Sequence, residues 1–124
     1  MKRHEAREKA VQTLFQLDET EITLEEAIPF IVEIPLDEFY EQLVRGTVAY
    51  REEIDALIAE HLENWSFGRL PKIERTILRL AVYEMNYTEV PARVVVNEAI
   101  ELCKTFSDEK SGKFVNGVLS KMNK

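Results

Sequence analysis

Apolar positions along the chain recur mostly at helical spacing. Ala6, Ala10, Leu14 and Leu17 stand at i, i+4, i+8 and i+11, and Val11 and Phe15 widen the stripe. On the polar side Arg3 and Arg7 stand four apart and Lys2 and Lys9 seven apart, so each pair shares a face. Thr23-Leu24-Glu25-Glu26 matches a capping box, which predicts a second helix that Pro29 should bend or shorten. Phe39, Leu43, Val44, Val48, Ile54, Leu57, Ile58, His61 and Leu62 keep a spacing of three to four for most of 36–62. This predicts one long helix, about 40 Å if unbroken. Asn64–Gly68 has turn composition, and Pro71 suits the first position of a helix carrying Ile73, Ile77, Leu80, Ala81 and Glu84. After a pause at Asn86–Pro91 another helix runs to about Phe106. Val94-Val95-Val96 alone reads as a strand, but Asn97–Leu102 continues in helical register. Ser107-Asp108-Glu109 then turns into a last helix with Val115, Val118, Leu119 and Met122 on one side. The pattern is all-α, with about six to seven helices in a single domain. A break near 63–71 divides an N-terminal sub-bundle (1–63) from a C-terminal one (64–124).

Composition narrows the class. With 124 residues, 45% hydrophobic and 31% charged, the chain is globular, not disordered, and long enough to bury a core without staples. Charge-free stretches such as Ala10–Leu17 and Phe114–Ser120 are too short to span a bilayer. The start, Met1-Lys2-Arg3-His4-Glu5, has no apolar run of a secretory signal, and a single Cys103 fits a reducing compartment. A cytoplasmic location is expected. The net charge of −7 argues against nucleic acid until it is divided along the chain. Residues 1–17 carry net +2, 18–63 net −12, and 64–124 net +3. The acidity thus belongs to the middle, whose acids are expected on solvated helix faces, and both ends are mildly basic.

No catalytic constellation emerges. His4 and His61 lack the partners of a zinc motif, so no metal is expected. Cys103, beside Leu102 on a helix, reads as a small buried hydrophobe. Gly112 and Gly117 have P-loop spacing, but Val118-Leu119 stand where Lys and Ser or Thr are needed. Glu98 and Glu101 lack a His at metal-binding offset. The expectation is a binding protein, not an enzyme, with no cofactor.

The C-terminal half carries a distinctive run. Trp65-x-x-x-Arg69-Leu70 is followed by Ile73-Glu74-Arg75-x-Ile77-Leu78-Arg79-Leu80-Ala81-x-Tyr83-Glu84. Pro91-x-x-Val94-x-Val96-Asn97-Glu98-Ala99-Ile100-Glu101-Leu102 and Lys113-Phe114-Val115-Asn116-Gly117-Val118-Leu119 complete it. In this order and spacing the blocks resemble the NusB family of bacterial transcription antitermination factors, and Arg3-x-x-x-Arg7-x-x-Ala10-Val11-Gln12-x-Leu14-Phe15 looks like its arginine-rich first helix. The middle, 18–63, matches in helical pattern alone. The resemblance implies a non-enzymatic helical protein that binds the single-stranded boxA element of nascent ribosomal RNA. It acts together with the ribosomal protein NusE, in an antitermination complex on RNA polymerase.

Single-stranded RNA needs cations along its phosphates and flat surfaces for its bases. The family's arginine-rich segment carries over onto Lys2, Arg3, His4 and Arg7, although Glu5 and Glu8 interrupt it. On that reading Arg7→Ala weakens RNA binding with little loss of fold. In the last block Lys113 reaches a phosphate, Asn116 a base edge, and Phe114 stacks on a base. Phe114 stands one residue off the Val115 stripe, so its spacing fits the rim of the core equally well. Gly117 reads as a close-packing position. Arg79 and Lys110 are further basic candidates. For a basic partner such as NusE the resemblance points to Glu74, with Phe15 as an apolar neighbour. Glu84, Asn97, Glu98 and Glu101 of the signature blocks read as structural, and Asn97 and Glu98 suit hydrogen bonds inside the bundle. Two alternatives stand beside this reading: an interaction bundle without RNA binding, and an NusB-like domain of an RNA methyltransferase. A homodimer is also open.

Overall fold

The computed structural model describes residues 1–64 and 66–122, so Trp65, which opens the signature run, lies outside the described residues. Seven α-helices follow one another: α1 (Arg3–Glu19), α2 (Leu24–Ile31), α3 (Glu38–Ala49), α4 (Arg51–Glu60), α5 (Lys72–Tyr87), α6 (Ala92–Phe106) and α7 (Glu109–Met122). A 3-10 turn over Phe67–Arg69 leads into α5.

Local chemistry sets the helix ends. Both halves of the capping box form at α2: the Glu26 amide donates to Thr23 Oγ1 at 3.2 Å, and the Thr23 amide donates to Glu26 Oε1 at 3.0 Å. Pro29 has no amide to give the ladder, and α2 ends two residues later. Asp37 and Asp108 cap α3 and α7 by accepting from the amides of Tyr40 (2.9 Å) and Ser111 (2.7 Å). Pro71 precedes its helix instead of opening it: its ψ of 142° is extended, and its carbonyl accepts from the Arg75 amide.

The long helix expected over 36–62 is two. Tyr50 (φ −104°, ψ 17°) ends α3 and starts α4, donating its amide to the Gly46 carbonyl and accepting from the Ile54 amide. The apolar pattern contains the cause. The six-residue step from Val48 to Ile54 cannot stay on one face of a single helix, and Val48 is left exposed. The break turns Ile54 and Ile58 back into the core, where both are fully buried.

Every residue of α5 from Thr76 to Glu84 is buried, so this helix is central. It packs against α1, α3, α4, α6 and α7. One apolar cluster draws on all seven helices, from Ala6 and Val11 through Tyr40, Leu43, Ile58, Ile77 and Leu78 to Leu119. The close approach lies at Gly46, where any Cβ would enter the Tyr83 ring. Gly117, expected to fill that role, faces open space. Among the described residues no helix is long and apolar enough to cross a membrane.

Candidate nucleic-acid interface

Two of the arginines expected on the surface lie inside. Arg7 is 3% exposed, donating from Nε to Glu84 Oε1 (2.7 Å) and from Nη2 to Glu84 Oε2 (2.9 Å), with Glu98 3.3 Å from its Nη1. Burial alone would lower the Arg7 pKa, but the Glu84 hydrogen bonds and the charges of Glu84 and Glu98 raise it, so the guanidinium stays charged. Arg79 is likewise buried and makes a fork onto Asp55, at 2.7 and 2.9 Å. Both guanidiniums are committed to carboxylates and are withdrawn from the RNA-contact role expected of them. The first-turn spacing put Arg3 and Arg7 on one face, but α5 and α6 cover that face at Arg7 and leave Arg3 exposed.

The middle acids are also not all solvated. Asp18 accepts from Arg75 at 2.7 and 3.1 Å, and Arg79 and Arg51 lie within 3.6 Å of it. Burial would raise the Asp18 pKa, but the Arg75 hydrogen bond and the charges of Arg79, Arg75 and Arg51 hold it below the usual value. Cys103 is fully buried, and burial pushes its thiol up to about 11, leaving an inert apolar group. Of the two signature residues expected to hydrogen-bond inside the bundle, Glu98 does and Asn97 is exposed, while Glu84 is the buried partner of Arg7. Among the described residues no group of His, Cys, Asp and Glu can hold a metal ion.

The remaining candidates fall in two places. At the start of α1, Lys2, Arg3 and His4 are exposed. Arg3 rests over the Phe39 ring, 4.4 Å from its centroid. His4 Nδ1 bonds Glu98 Oε2 at 2.8 Å, and Glu8 lies 3.5 Å from its Nε2. The Glu98 hydrogen bond raises the His4 pKa and so favours its charged form, a charge shared with carboxylates.

The second place surrounds Pro71. A groove of about 490 Å³ between α1, α5 and α6 is lined by Val11, Phe15, Ile73 and Phe106. A second groove, of about 360 Å³, adjoins it across Pro71 and holds Glu74, Asp108, Lys110, Ser111 and Phe114. Phe114 is half-buried against the core, as the rim reading of its spacing expects, and lines this groove. Burial, reinforced by Asp108, raises the Glu74 pKa against the opposing Ser111 hydroxyl. Lys110 and Lys113 are exposed and make no ion pair among the described residues. The Asn116 amide oxygen accepts from Ser120 Oγ at 3.1 Å. Phe15 and Glu74, which stand 59 positions apart in the chain, thus border adjoining grooves. Pro71 and Phe106, which complete the apolar one, were not signalled by the sequence.

The NusB family model matches residues 4–124. A transcription antitermination protein NusB from Lysinibacillus sphaericus (strain C3-41) is 66% identical over 98% of this chain and 96% of its own length. The chain belongs to the NusB family. The family is not enzymatic. Its fold recurs here: NusB from T. maritima superposes with a TM-score of 0.87 at 35% identity, over 98% of this chain and 89% of that one. A crystal structure of the antitermination factors NusB and NusE in complex with dsRNA contains a chain of TM-score 0.83 and 38% identity, covering 98% of this chain and 96% of that one.

Proposed function

We propose that this chain is a cytoplasmic transcription antitermination factor that binds the boxA element of nascent ribosomal RNA together with NusE, within a complex on RNA polymerase. The observation that carries this reading is the meeting of Phe15, Glu74, Lys110 and Phe114 on two grooves that share Pro71. The apolar groove beside Glu74 offers a basic protein both an anchor and a countercharge. The rim formed by Lys110, Lys113, Phe114 and Asn116 offers RNA cations, a ring and an amide next to that protein. The exposed cations at the start of α1 extend the path for phosphates. RNA complexed with the similar NusB and NusE chains is double-stranded; for this chain a single strand is favoured, because the Phe114 ring edge in the groove and the Asn116 amide suit unstacked bases.

Glu74→Lys tests the division of labour. It puts a cation against a basic partner and should abolish NusE capture in a pull-down, while RNA binding by the isolated protein is kept or strengthened. Undiminished NusE capture would remove this groove from the protein interface.

A further inference from the structure

A third groove, of about 620 Å³, lies at the other end of α1, away from Pro71. Its walls come from Arg3 of α1, Phe39 and Gln42 of α3, Tyr87 and Glu89 at the end of α5, and Val94 of α6. Tyr87 and Tyr50 stack face to face, with ring centroids 4.2 Å apart and planes 13° from parallel. Both tyrosines are more than a third exposed, as is Val94. The stack is fixed from behind: Tyr83 lies near-parallel to Tyr87 at 5.9 Å, and Tyr87 Oη donates to Glu53 at 2.8 Å. Across the groove the Arg3 guanidinium is held on the Phe39 ring.

We infer that this groove holds one unstacked nucleobase of the single-stranded RNA, stacked on Tyr87 and edged by Arg3, Gln42 and Glu89. This rests on the RNA-binding reading above and adds to it a site separate from the Lys113–Asn116 block. The chemistry fits a base better than a phosphate. A rigid aromatic wall, doubled by Tyr50, supplies a flat apolar surface with little ordering cost on binding. Arg3 presents a planar cation that stacks as well as attracts. Gln42 and Glu89 are both exposed and supply the acceptors and donors that a base edge needs, whereas Glu89 would repel a phosphate placed beside it. Arg7 also borders the groove, but its charge is already met by Glu84 and adds little to the field there. Lys2 and Arg3 lead the phosphates of the same strand past the groove mouth, so the base site continues the α1 surface.

The test uses a fluorescently labelled single-stranded RNA carrying a boxA element, with an abasic nucleotide scanned through it, bound to the full chain. Tyr87→Ala should weaken the intact strand about tenfold, the size expected for one base–aromatic stack, and Tyr87→Phe should keep wild-type affinity. One abasic position should cost the wild type a similar factor and cost Tyr87→Ala nothing. Should Tyr87→Ala unfold, 4-thiouridine at that position in the wild-type complex must cross-link to the peptide containing Tyr87. Equal binding by Tyr87→Ala, with no position coupled to it, overturns the base site while leaving RNA binding in place. No binding by the wild type, even with NusE present, overturns both readings. Loss of NusE capture with RNA affinity unchanged would make the groove a protein surface and overturn the base assignment.

Discussion

Arg7 and Glu84 illustrate how far a single residue's role depends on partners distant in sequence. They are 77 positions apart, and each is almost fully buried. A helical repeat places Arg7 beside Arg3 but cannot reveal that α5 delivers a carboxylate onto it. Breaking a buried pair strands the other charge, which costs about 3–5 kcal/mol. Arg7→Ala and Glu84→Ala should therefore each lower unfolding free energy by that amount in urea titration. The double change should cost much less than the sum of the two. Neither change is a clean probe of RNA contact, contrary to what the sequence suggests for Arg7; Arg3 and Lys2 are the proper probes. His4 gives a second residue-scale prediction. Its pKa is raised by Glu98, so the folded state binds its proton more tightly than the unfolded chain does. Its contribution to stability is full below the ordinary histidine value of 6.5 and fades as pH rises through the higher folded value. An NMR titration should find the His4 midpoint above 6.5, and Glu98→Gln should bring it down.

At the scale of elements, much was legible. The capping box, the α6 register through Val94-Val95-Val96 and the apolar face of α7 all follow from local spacing. The split between α3 and α4 was missed: the spacing over 36–62 predicts one helix, and the step from Val48 to Ile54, unmarked by Gly or Pro, explains the break only once the structure shows it. The grooves were not legible either, because each needs side chains from three helices or from distant turns. Glycines divide along the same line. Gly46 looks unremarkable in sequence, yet Tyr83 occupies the space a side chain needs. Gly46→Ala should cost about 2 kcal/mol or more by overpacking, despite the better helix propensity of Ala. Gly117, exposed in α7 with nothing near it, behaves oppositely. Gly117→Ala should raise stability by about 0.5–1 kcal/mol, since only the backbone entropy changes. Thermal unfolding of the two variants should shift in opposite directions.

For the whole molecule, the total charge of −7 hides how the charges are used. Asp18 and Asp55 of the acidic middle tie down Arg51, Arg75 and Arg79, and Glu25 and Glu41 hold Arg45. Among the described residues Lys2, Arg3, Lys9, Arg69, Arg93, Lys110 and Lys113 make no ion pair; of these, Lys2 and Arg3 stand at one end of α1, and Lys110 and Lys113 on α7. The proposed RNA surface draws on those four, and which cations are already paired inside the molecule is a property that composition and spacing do not carry. The four cations of the proposed surface, near a net-acidic body, should give modest affinity for RNA alone, which a basic partner seated beside Glu74 should increase. The direct measurement is a salt titration of a boxA single strand, with and without NusE. Four neutralised phosphates on a single strand give a log–log slope of about −3, and Lys2→Ala with Arg3→Ala should reduce its magnitude by about 1.4. NusE should tighten binding at every salt concentration. A strand that does not bind at low salt with NusE present, or binds with no salt dependence, would contradict the assignment of this chain to boxA recognition.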